Sequence, residues 1–240
     1  MLSKNEIKEI RALGQKKFRD ERHLFVVEGE KLVEEALCSG YDVVAHYRVE
    51  DIGEETMARI SQLTHPSPAL AVVRMPDPGH EPFIPDPDEL VLALDGVRDP
   101  GNPGTIVRIA DWFGIRRILA SEDTVEIYNP KVVQATMGAV FRVKVSYLDL
   151  AEALRCPAEP GVTPFPVYGT FLEGDNIYET PLTKGGVLVM GSEARGISPA
   201  VAATVTRKLF IPPFPPSART SESLNVAVAT AIACSEFRRR

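Results

Sequence analysis

Beyond residue 89 the sequence alternates short apolar runs with helical segments, and this alternation restricts the fold more than any other feature. The apolar runs are predicted strands at residues 90–94, 117–120, 141–147, 167–171, 187–190 and 208–211. Strands that alternate with helices in this way form mostly parallel sheets covered by helices on both faces. The sequence therefore predicts an α/β fold. The final segment, 222–237, is rich in alanine and valine and is predicted to be a helix buried on most sides.

A proline-rich stretch divides the chain. Five prolines lie between residues 76 and 88, where they remove backbone donors and disfavour helix in the residues before them. We therefore predict an N-terminal domain over residues 1–76, a linker over 77–88 and a second domain over 89–240. The first is a small α/β unit with helices at 4–18, 30–37 and 54–63, and strands at 24–27, 41–49 and 69–73.

Charge is unevenly distributed along the sequence. With 33 acidic and 27 basic residues, the net charge of −6 argues against a general polyanion binder, because such affinity comes mainly from Lys and Arg. One short stretch is nevertheless crowded with cations, and from charge alone it is either a solvated helix face or an RNA-contacting surface. Its members are Arg11, Lys16, Lys17, Arg19 and Arg22.

Metal and membrane roles are not indicated. The three cysteines and four histidines are scattered, with none at metal-ligand spacing, so we expect no metal. No apolar run approaches the roughly 20 residues needed to cross a bilayer, and no apolar segment of a signal peptide follows Met1. We expect a cytoplasmic protein that does not enter a membrane.

Three segments follow predicted strands and combine glycine or proline with polar residues, which is where ligands gather in open α/β sheets. The first holds Asn102, a predicted helix N-cap with Pro103 at the first helical position, and Arg108 nearly two turns further on. The second holds Gly191 and Glu193 at a strand end. Taken singly, each is also compatible with an ordinary turn.

The third segment leads from a proline-rich loop into the final apolar helix and places Ser223 and Asn225 near its first turn. An asparagine that enters a buried helix needs hydrogen-bond partners or it costs free energy. Asn225 is therefore predicted to have a capping or functional role.

In this order and spacing, the three segments resemble motifs 1, 2 and 3 of the SpoU (TrmH) family of the SPOUT methyltransferase superfamily. The resemblance covers residues 90–240, and residues 3–73 are similar in pattern to the N-terminal RNA-binding domain of ribosomal-RNA members, whose fold resembles kink-turn-binding ribosomal proteins. It implies a parallel-sheet SPOUT domain with a deep trefoil knot, and a homodimer formed through the catalytic domain.

The resemblance also implies S-adenosylmethionine as cofactor and transfer of its methyl group to a ribose 2′-hydroxyl in structured RNA, ribosomal RNA more than transfer RNA. A guanidinium stays protonated at neutral pH, so Arg108 is expected to act by position and charge rather than as a base. The implied catalytic residues are Asn102, Arg108, Glu193, Ser223 and Asn225. The implied cofactor contacts are Thr170, Gly191, Ile211 and Leu224.

Two other functions fit the sequence less well. An RNA-binding or assembly factor without catalysis would not need all five implied catalytic residues. A nicotinamide-dependent oxidoreductase is disfavoured because no Gly-x-Gly-x-x-Gly follows a strand near the start of either domain. One departure from the family is that the loop 212–220 is longer and richer in proline, which leaves its adenine contacts open.

Overall fold

A computed structural model describes residues 2–77, 83–155, 164–215 and 221–239 of the protein. In chain order the helices are α1 (Lys4–Ala12), α2 (Lys16–Arg22), α3 (Glu30–Cys38), α4 (Val49–Ile52), α5 (Glu54–Ile60), α6 (Gly101–Trp112), α7 (Pro130–Thr136), α8 (Leu150–Ala153), α9 (Pro199–Ala202) and α10 (Val226–Arg238). The strands are β1 (Leu24–Glu28), β2 (Val43–Arg48), β3 (Ala69–Arg74), β4 (Leu90–Asp95), β5 (Arg117–Ala120), β6 (Lys144–Tyr147), β7 (Val167–Asn176), β8 (Gly186–Gly191) and β9 (Arg207–Phe210).

The elements form two compact units. The first comprises the described residues up to 77 together with 126–142, and the second comprises 83–125 together with 143–239. The units therefore do not follow a single cut of the chain, because residues 126–142 lie within the sequence of the second unit and pack in the first. None of the described helices is both long and apolar enough to span a bilayer.

The second unit is built on a six-stranded sheet in the order β6-β5-β4-β8-β7-β9, in which every neighbouring pair is parallel. This confirms the predicted parallel sheet. On one face Val167 of β7 packs in a buried cluster with residues of α8 and α9. On the other face the next residue, Tyr168, stacks edge-on against Phe237 of α10. Helices thus cover both faces, as the sequence predicts.

The first unit has a three-stranded antiparallel sheet in the order β1-β3-β2. Residues 126–142 complete its core, because the ring of Tyr128 lies 4.5 Å from that of Phe25 between centroids, and Val133 of α7 joins the same buried cluster. Phe141 packs edge-on against Tyr41. No sequence signal distinguished this segment from the rest of the second domain.

The first helix differs from its prediction. The sequence predicts one helix over 4–18, whereas the structure has α1 and α2 separated by a turn that contains Gly14. Gln62 explains the interruption, since its side-chain amide donates to the carbonyls of Ile10 (3.3 Å) and Arg11 (3.1 Å). A helix that ends leaves its last carbonyls without partners, and Gln62 supplies them here.

Arg19 does not belong to the cationic surface predicted from the sequence. Its side chain is only 2% exposed, and its guanidinium pairs with the carboxylate of Glu126 and donates to the carbonyl of Leu13 at 2.9 Å. A buried, fully engaged guanidinium cannot reach a phosphate. We therefore remove Arg19 from the RNA-contacting set and assign it to the packing of the first unit.

This assignment predicts a large difference between two neighbouring cations. Arg19→Ala leaves the carboxylate of Glu126, which is 14% exposed, without its partner, and removing one member of a largely buried pair typically costs about 3–5 kcal/mol of unfolding free energy. Lys16→Ala is the matched control, because the Lys16 side chain is 63% exposed and exposed pairs such as the one it forms with Asp20 contribute below about 1 kcal/mol. Urea denaturation of both variants measures this, and equal midpoints would contradict the structural role of Arg19.

Candidate functional site

The site begins at the carboxyl edge of the parallel sheet. Asp95, the last residue of β4, is in register with Gly191, the last residue of β8. The loops that leave these two strands therefore start side by side. Because β7 and β9 are parallel to β8, Thr170 in β7 and Ile211 after β9 also lie toward this edge.

Three side chains from separate segments meet at this edge in a closed hydrogen-bonded triangle. Asn102 of α6 donates to Glu193 Oε1 at 2.6 Å. The Asn225 amide nitrogen donates both to Asn102 Oδ1 at 2.9 Å and to Glu193 Oε1 at 3.1 Å. These three residues belong to the three segments singled out in the sequence, which the fold brings together.

The orientation of the Asn225 amide is set by the helix that it starts. Its Oδ1 accepts from the backbone N–H groups of Ala227 (3.0 Å) and Val228 (3.3 Å), which caps α10. The oxygen must therefore face the helix, and the amide nitrogen must face the other two side chains. Capping thus fixes which atom Asn225 presents to Asn102 and Glu193.

Asn102 does not cap its helix, contrary to the prediction. Helix α6 begins two residues earlier than predicted, at Gly101, with Pro100 in the cap position and no side-chain cap. The carboxylate of Asp99 accepts from the Gly101 N–H at 2.8 Å, so the start of the helix does not use the side chain of Asn102. This leaves the Asn102 amide available to Glu193.

Glu193 sits in a tight loop whose backbone is closely packed. Ser192 and Gly196 pair across it through reciprocal backbone hydrogen bonds of 3.2 and 2.8 Å. A Cβ atom on Gly191 would lie 2.2 Å from the Gly196 carbonyl carbon, so only glycine fits there. The loop therefore holds Glu193 by its backbone as well as by its hydrogen bonds.

Asp95 anchors the far end of the same loop and was not among the predicted site residues. This carboxylate is 7% exposed and accepts from the Ser198 N–H at 2.6 Å. An acidic residue directly after an otherwise apolar strand is the signal that could have identified it. Through Ser198, Asp95 positions the loop that carries Gly191 and Glu193.

Two other implied catalytic residues, and one implied cofactor contact, do not join the triangle. Arg108 is exposed on α6 and forms no hydrogen bond or ion pair with any residue that the structure describes. Ser223 is exposed, and its carbonyl accepts from the Ser221 hydroxyl at 3.4 Å. Leu224, next to the capping asparagine, is also exposed.

Two of the implied cofactor contacts lie in β7 or directly after β9. The Thr170 hydroxyl donates to the carbonyl of Val189 at 3.4 Å, which ties β7 to the end of β8. Ile211 directly follows β9 and is partly buried. Residues 216–220 of the proline-rich loop, between Ile211 and Leu224, lie outside the described residues.

In the first unit, the remaining predicted RNA-contacting residues lie at or near the surface. Arg11 and Lys17 are exposed. Lys16 pairs with Asp20 at 2.6 Å, and Arg22 donates to the carbonyl of Glu9 at 3.2 Å. Within the residues that the structure covers, no group of three or more histidine, cysteine or acidic side chains could hold a metal ion.

Two family models match the chain. The SpoU rRNA Methylase family matches residues 89–235, and the MRM3-like substrate binding domain matches residues 4–62. Among characterised relatives, the chain is 30% identical over 248 residues to RlmP of Bacillus subtilis, a 23S rRNA (guanosine-2′-O)-methyltransferase. That alignment covers 96% of this chain and 95% of the relative.

The solved structures that superpose on this chain include RNA methyltransferases as well. A Porphyromonas gingivalis protein described as an RNA methyltransferase of the TrmH family superposes with a TM-score of 0.87 at 43% identity, over 100% of this chain and 99% of that one. An AdoMet-bound rRNA methyltransferase from Sinorhizobium meliloti superposes with a TM-score of 0.84 at 30% identity, over 100% of this chain and 97% of that one.

The double role of Asn225 can be separated by substitution. Asn225→Ala removes the cap of α10 and is expected to lower the unfolding free energy by about 1 kcal/mol. Asn225→Ser keeps a capping oxygen but is too short to hold Asn102 and Glu193. Both variants lose those two contacts, so the serine variant should be more stable than the alanine variant by the contribution of the cap, about 1 kcal/mol. Thermal unfolding compares the two, and equal losses would contradict the capping role.

Proposed function

Because this chain belongs to the SpoU rRNA methylase family, we propose that it transfers a methyl group from S-adenosylmethionine to a ribose 2′-hydroxyl of structured RNA. Ribosomal RNA is favoured over transfer RNA as the substrate, since relatives along most of the chain are named as rRNA methyltransferases. The observation that carries the proposal is the Asn102–Glu193–Asn225 triangle, which joins the three family segments at one edge of the sheet.

The described residues at the carboxyl edge suit S-adenosylmethionine. The segments that follow β4, β8 and β9 meet there, and backbone groups at the ends of parallel strands are common ligand contacts. We propose that Thr170, Gly191 and Ile211 hold the cofactor largely through backbone atoms, and that Leu224, 45% exposed, offers an apolar contact. When bound, the cofactor supplies the methyl group in electrophilic form.

Arg108 is proposed to bind the phosphate next to the target ribose and to stabilise negative charge that develops on its 2′-oxygen. Its exposure and the absence of a partner among the described residues support this role, because the guanidinium remains available to RNA. Glu193, fixed by Asn102 and Asn225, would orient the loops of the three family segments, and Ser223 would contact the substrate from the start of α10. The hydroxyl proton leaves to solvent or to a neighbouring acceptor.

The two parts of the chain have separate proposed tasks. Residues 89–240 would form the catalytic domain, with the C-terminal trefoil knot of the superfamily, and residues 1–76 would bind RNA through Arg11, Lys16, Lys17 and Arg22. The match of residues 4–62 to a substrate-binding domain supports this division. Methylation of ribosomal RNA would place the protein in the cytoplasm.

A homodimer through the catalytic domain is also proposed. Helices α6 and α10 pack against each other, joined at one end by Asn102 and Asn225 and at the other by Arg238, which donates to the Phe113 carbonyl at 2.9 Å. Both helices carry exposed apolar side chains, Trp112 at 85% and Val228 at 50%. Large exposed apolar groups of this kind mark interaction surfaces.

The catalytic role of Arg108 is tested by Arg108→Ala. Removing one charge-stabilising donor costs about 100-fold or more in turnover, so methyl transfer to rRNA should fall by at least that factor. Calorimetric binding of S-adenosylmethionine should be unchanged, because the proposed contacts with it come from other segments. The matched control is Arg116→Ala, an exposed arginine in the same unit, which should retain activity.

Near-normal methyl transfer by the Arg108→Ala variant would reject the proposed role of this residue. A wild-type protein that binds rRNA but neither binds S-adenosylmethionine nor transfers its methyl group would instead be an assembly factor on the same fold.

The dimer is tested by a matched pair of valines. Val228→Glu places a charge on the proposed interface and should convert the dimer to monomer, because an unpaired charge in an apolar interface is costly to desolvate. Val44→Glu is the control, since Val44 is 47% exposed on β2 of the first unit. Light scattering after size exclusion measures both masses, and a Val228→Glu protein with an unchanged dimer mass would contradict the proposed interface.

A further inference from the structure

A cleft of about 570 Å³ lies in the first unit between α1, α2 and α5. Lys4, Lys8 and Arg11 contribute one wall from α1, and Arg59 contributes from α5. Ile7 and Phe18 lie among the lining residues and supply its apolar part. The cleft is widely open to solvent rather than enclosed.

The charge of this cleft is opposite to that of the whole chain. The protein carries a net charge of −6, yet four cations and no carboxylate line the cleft. Lys4, Lys8 and Arg11 follow one another at helical spacings of four and three, which places them on one stripe of α1. None of the four cations forms an ion pair with another residue that the structure describes. Their charge is therefore available to an anion.

The apolar part of the cleft includes an aromatic ring. Phe18 is partly buried, and the guanidinium of Arg22 lies 5.8 Å from its ring centroid, a cation–π contact that holds the ring in place. An aromatic ring beside lysines is the combination that binds unpaired bases, because the ring stacks on the base while the cations contact the phosphates. A simple anion such as phosphate would contact only the cations and would leave this apolar surface uncovered.

We propose that this cleft binds an unpaired nucleotide of the RNA substrate, with its base against Phe18 and its phosphates on Lys4, Lys8, Arg11 and Arg59. The inference rests on the proposed function, because it assigns to the first unit a specific contact with that same RNA. Three of these cations and the ring fall outside the set predicted from the sequence, which named only Arg11 among the residues of the cleft.

A single-stranded segment fits better than a duplex. Proteins read A-form duplexes mostly by shape and by backbone contacts spread over two successive minor grooves, whereas unpaired bases can stack on aromatic side chains. An open cleft with one partly buried ring and four cations provides one stacking position beside a cationic surface. The RNA that it selects should therefore carry an unpaired base near the methylated region.

The experiment uses the full-length protein and a short fluorescein-labelled RNA of mixed sequence, either single-stranded or as a blunt duplex. Wild-type protein should bind the single strand more tightly than the duplex. The double variant Lys4→Gln with Lys8→Gln should reduce the slope of log affinity against log salt by about 1.4, since each lost contact to a single strand removes about 0.7. The matched control replaces two other exposed lysines, Lys131→Gln with Lys184→Gln, and should keep the wild-type slope.

Phe18→Leu tests the stacking contact with little change in apolar volume. It should weaken binding to the single strand by about fivefold or more, the lower end of what one stacked base contributes, and should leave duplex binding unchanged. The melting temperature of the Phe18→Leu variant should equal that of wild type, because leucine fills the same apolar position. If the variant is destabilised, Phe18→Tyr, which keeps a stacking ring, should restore both folding and single-strand affinity.

Equal salt slopes for the two lysine pairs, or equal loss of single-strand and duplex affinity in Phe18→Leu, would overturn the nucleotide cleft. Binding of a protein partner, abolished by the same cleft variants while RNA affinity stays at the wild-type level, would also overturn it. Methyl transfer and S-adenosylmethionine binding are measured in parallel. Cleft-dependent RNA binding without methyl transfer by wild-type protein would reject the proposed enzyme activity and leave the cleft standing.

Discussion

The side-chain amide of Asn225 is the contact on which the candidate site depends. One side of it closes the first turn of α10, and the other side holds Asn102 and Glu193. A capping asparagine has its oxygen committed to the helix, so the orientation of its nitrogen follows from the same bond. Any movement of α10 would therefore change the position of the hydrogen-bond donor to Glu193. In this way the position of the last helix, set by its apolar packing, determines the geometry of a polar site.

The triangle orients a carboxylate without using a cation. Glu193 is held by two neutral amides, and among the residues that the structure describes it forms no ion pair. An arginine engaged with this carboxylate would lose part of its capacity to bind a phosphate, since both anions compete for the same donors. Neutral positioning of Glu193 thus leaves the guanidinium of Arg108 without a carboxylate partner among the described residues, as its proposed contact with a phosphate requires. It also explains why two asparagines, rather than a lysine or arginine, occupy the neighbouring helix starts.

The sequence predicted the parallel sheet and the site segments because both depend on local patterns: apolar runs of strand length, and glycine or asparagine after them. It did not predict features that depend on distant partners. The break after α1 requires Gln62, and the burial of Arg19 requires Glu126, which lies 107 residues away. The cap predicted at Asn102 was locally sound and failed because the helix begins before this residue, with the carboxylate of Asp99 accepting from the Gly101 N–H. Where several nearby side chains could pair with the backbone at a helix start, only the folded structure shows which of them does so.

The net negative charge of the chain and the cationic cleft in the first unit together limit where RNA can bind. A protein covered with cations would bind RNA at many places, because phosphate contacts are insensitive to sequence. Here acidic residues outnumber basic ones, while the cleft of Lys4, Lys8, Arg11 and Arg59 lacks any carboxylate. Repulsion elsewhere and attraction at one concave surface would restrict RNA to a defined orientation. Such restriction matters for an enzyme that must choose one ribose among many chemically identical ones, because the active site itself contacts a group that every nucleotide carries.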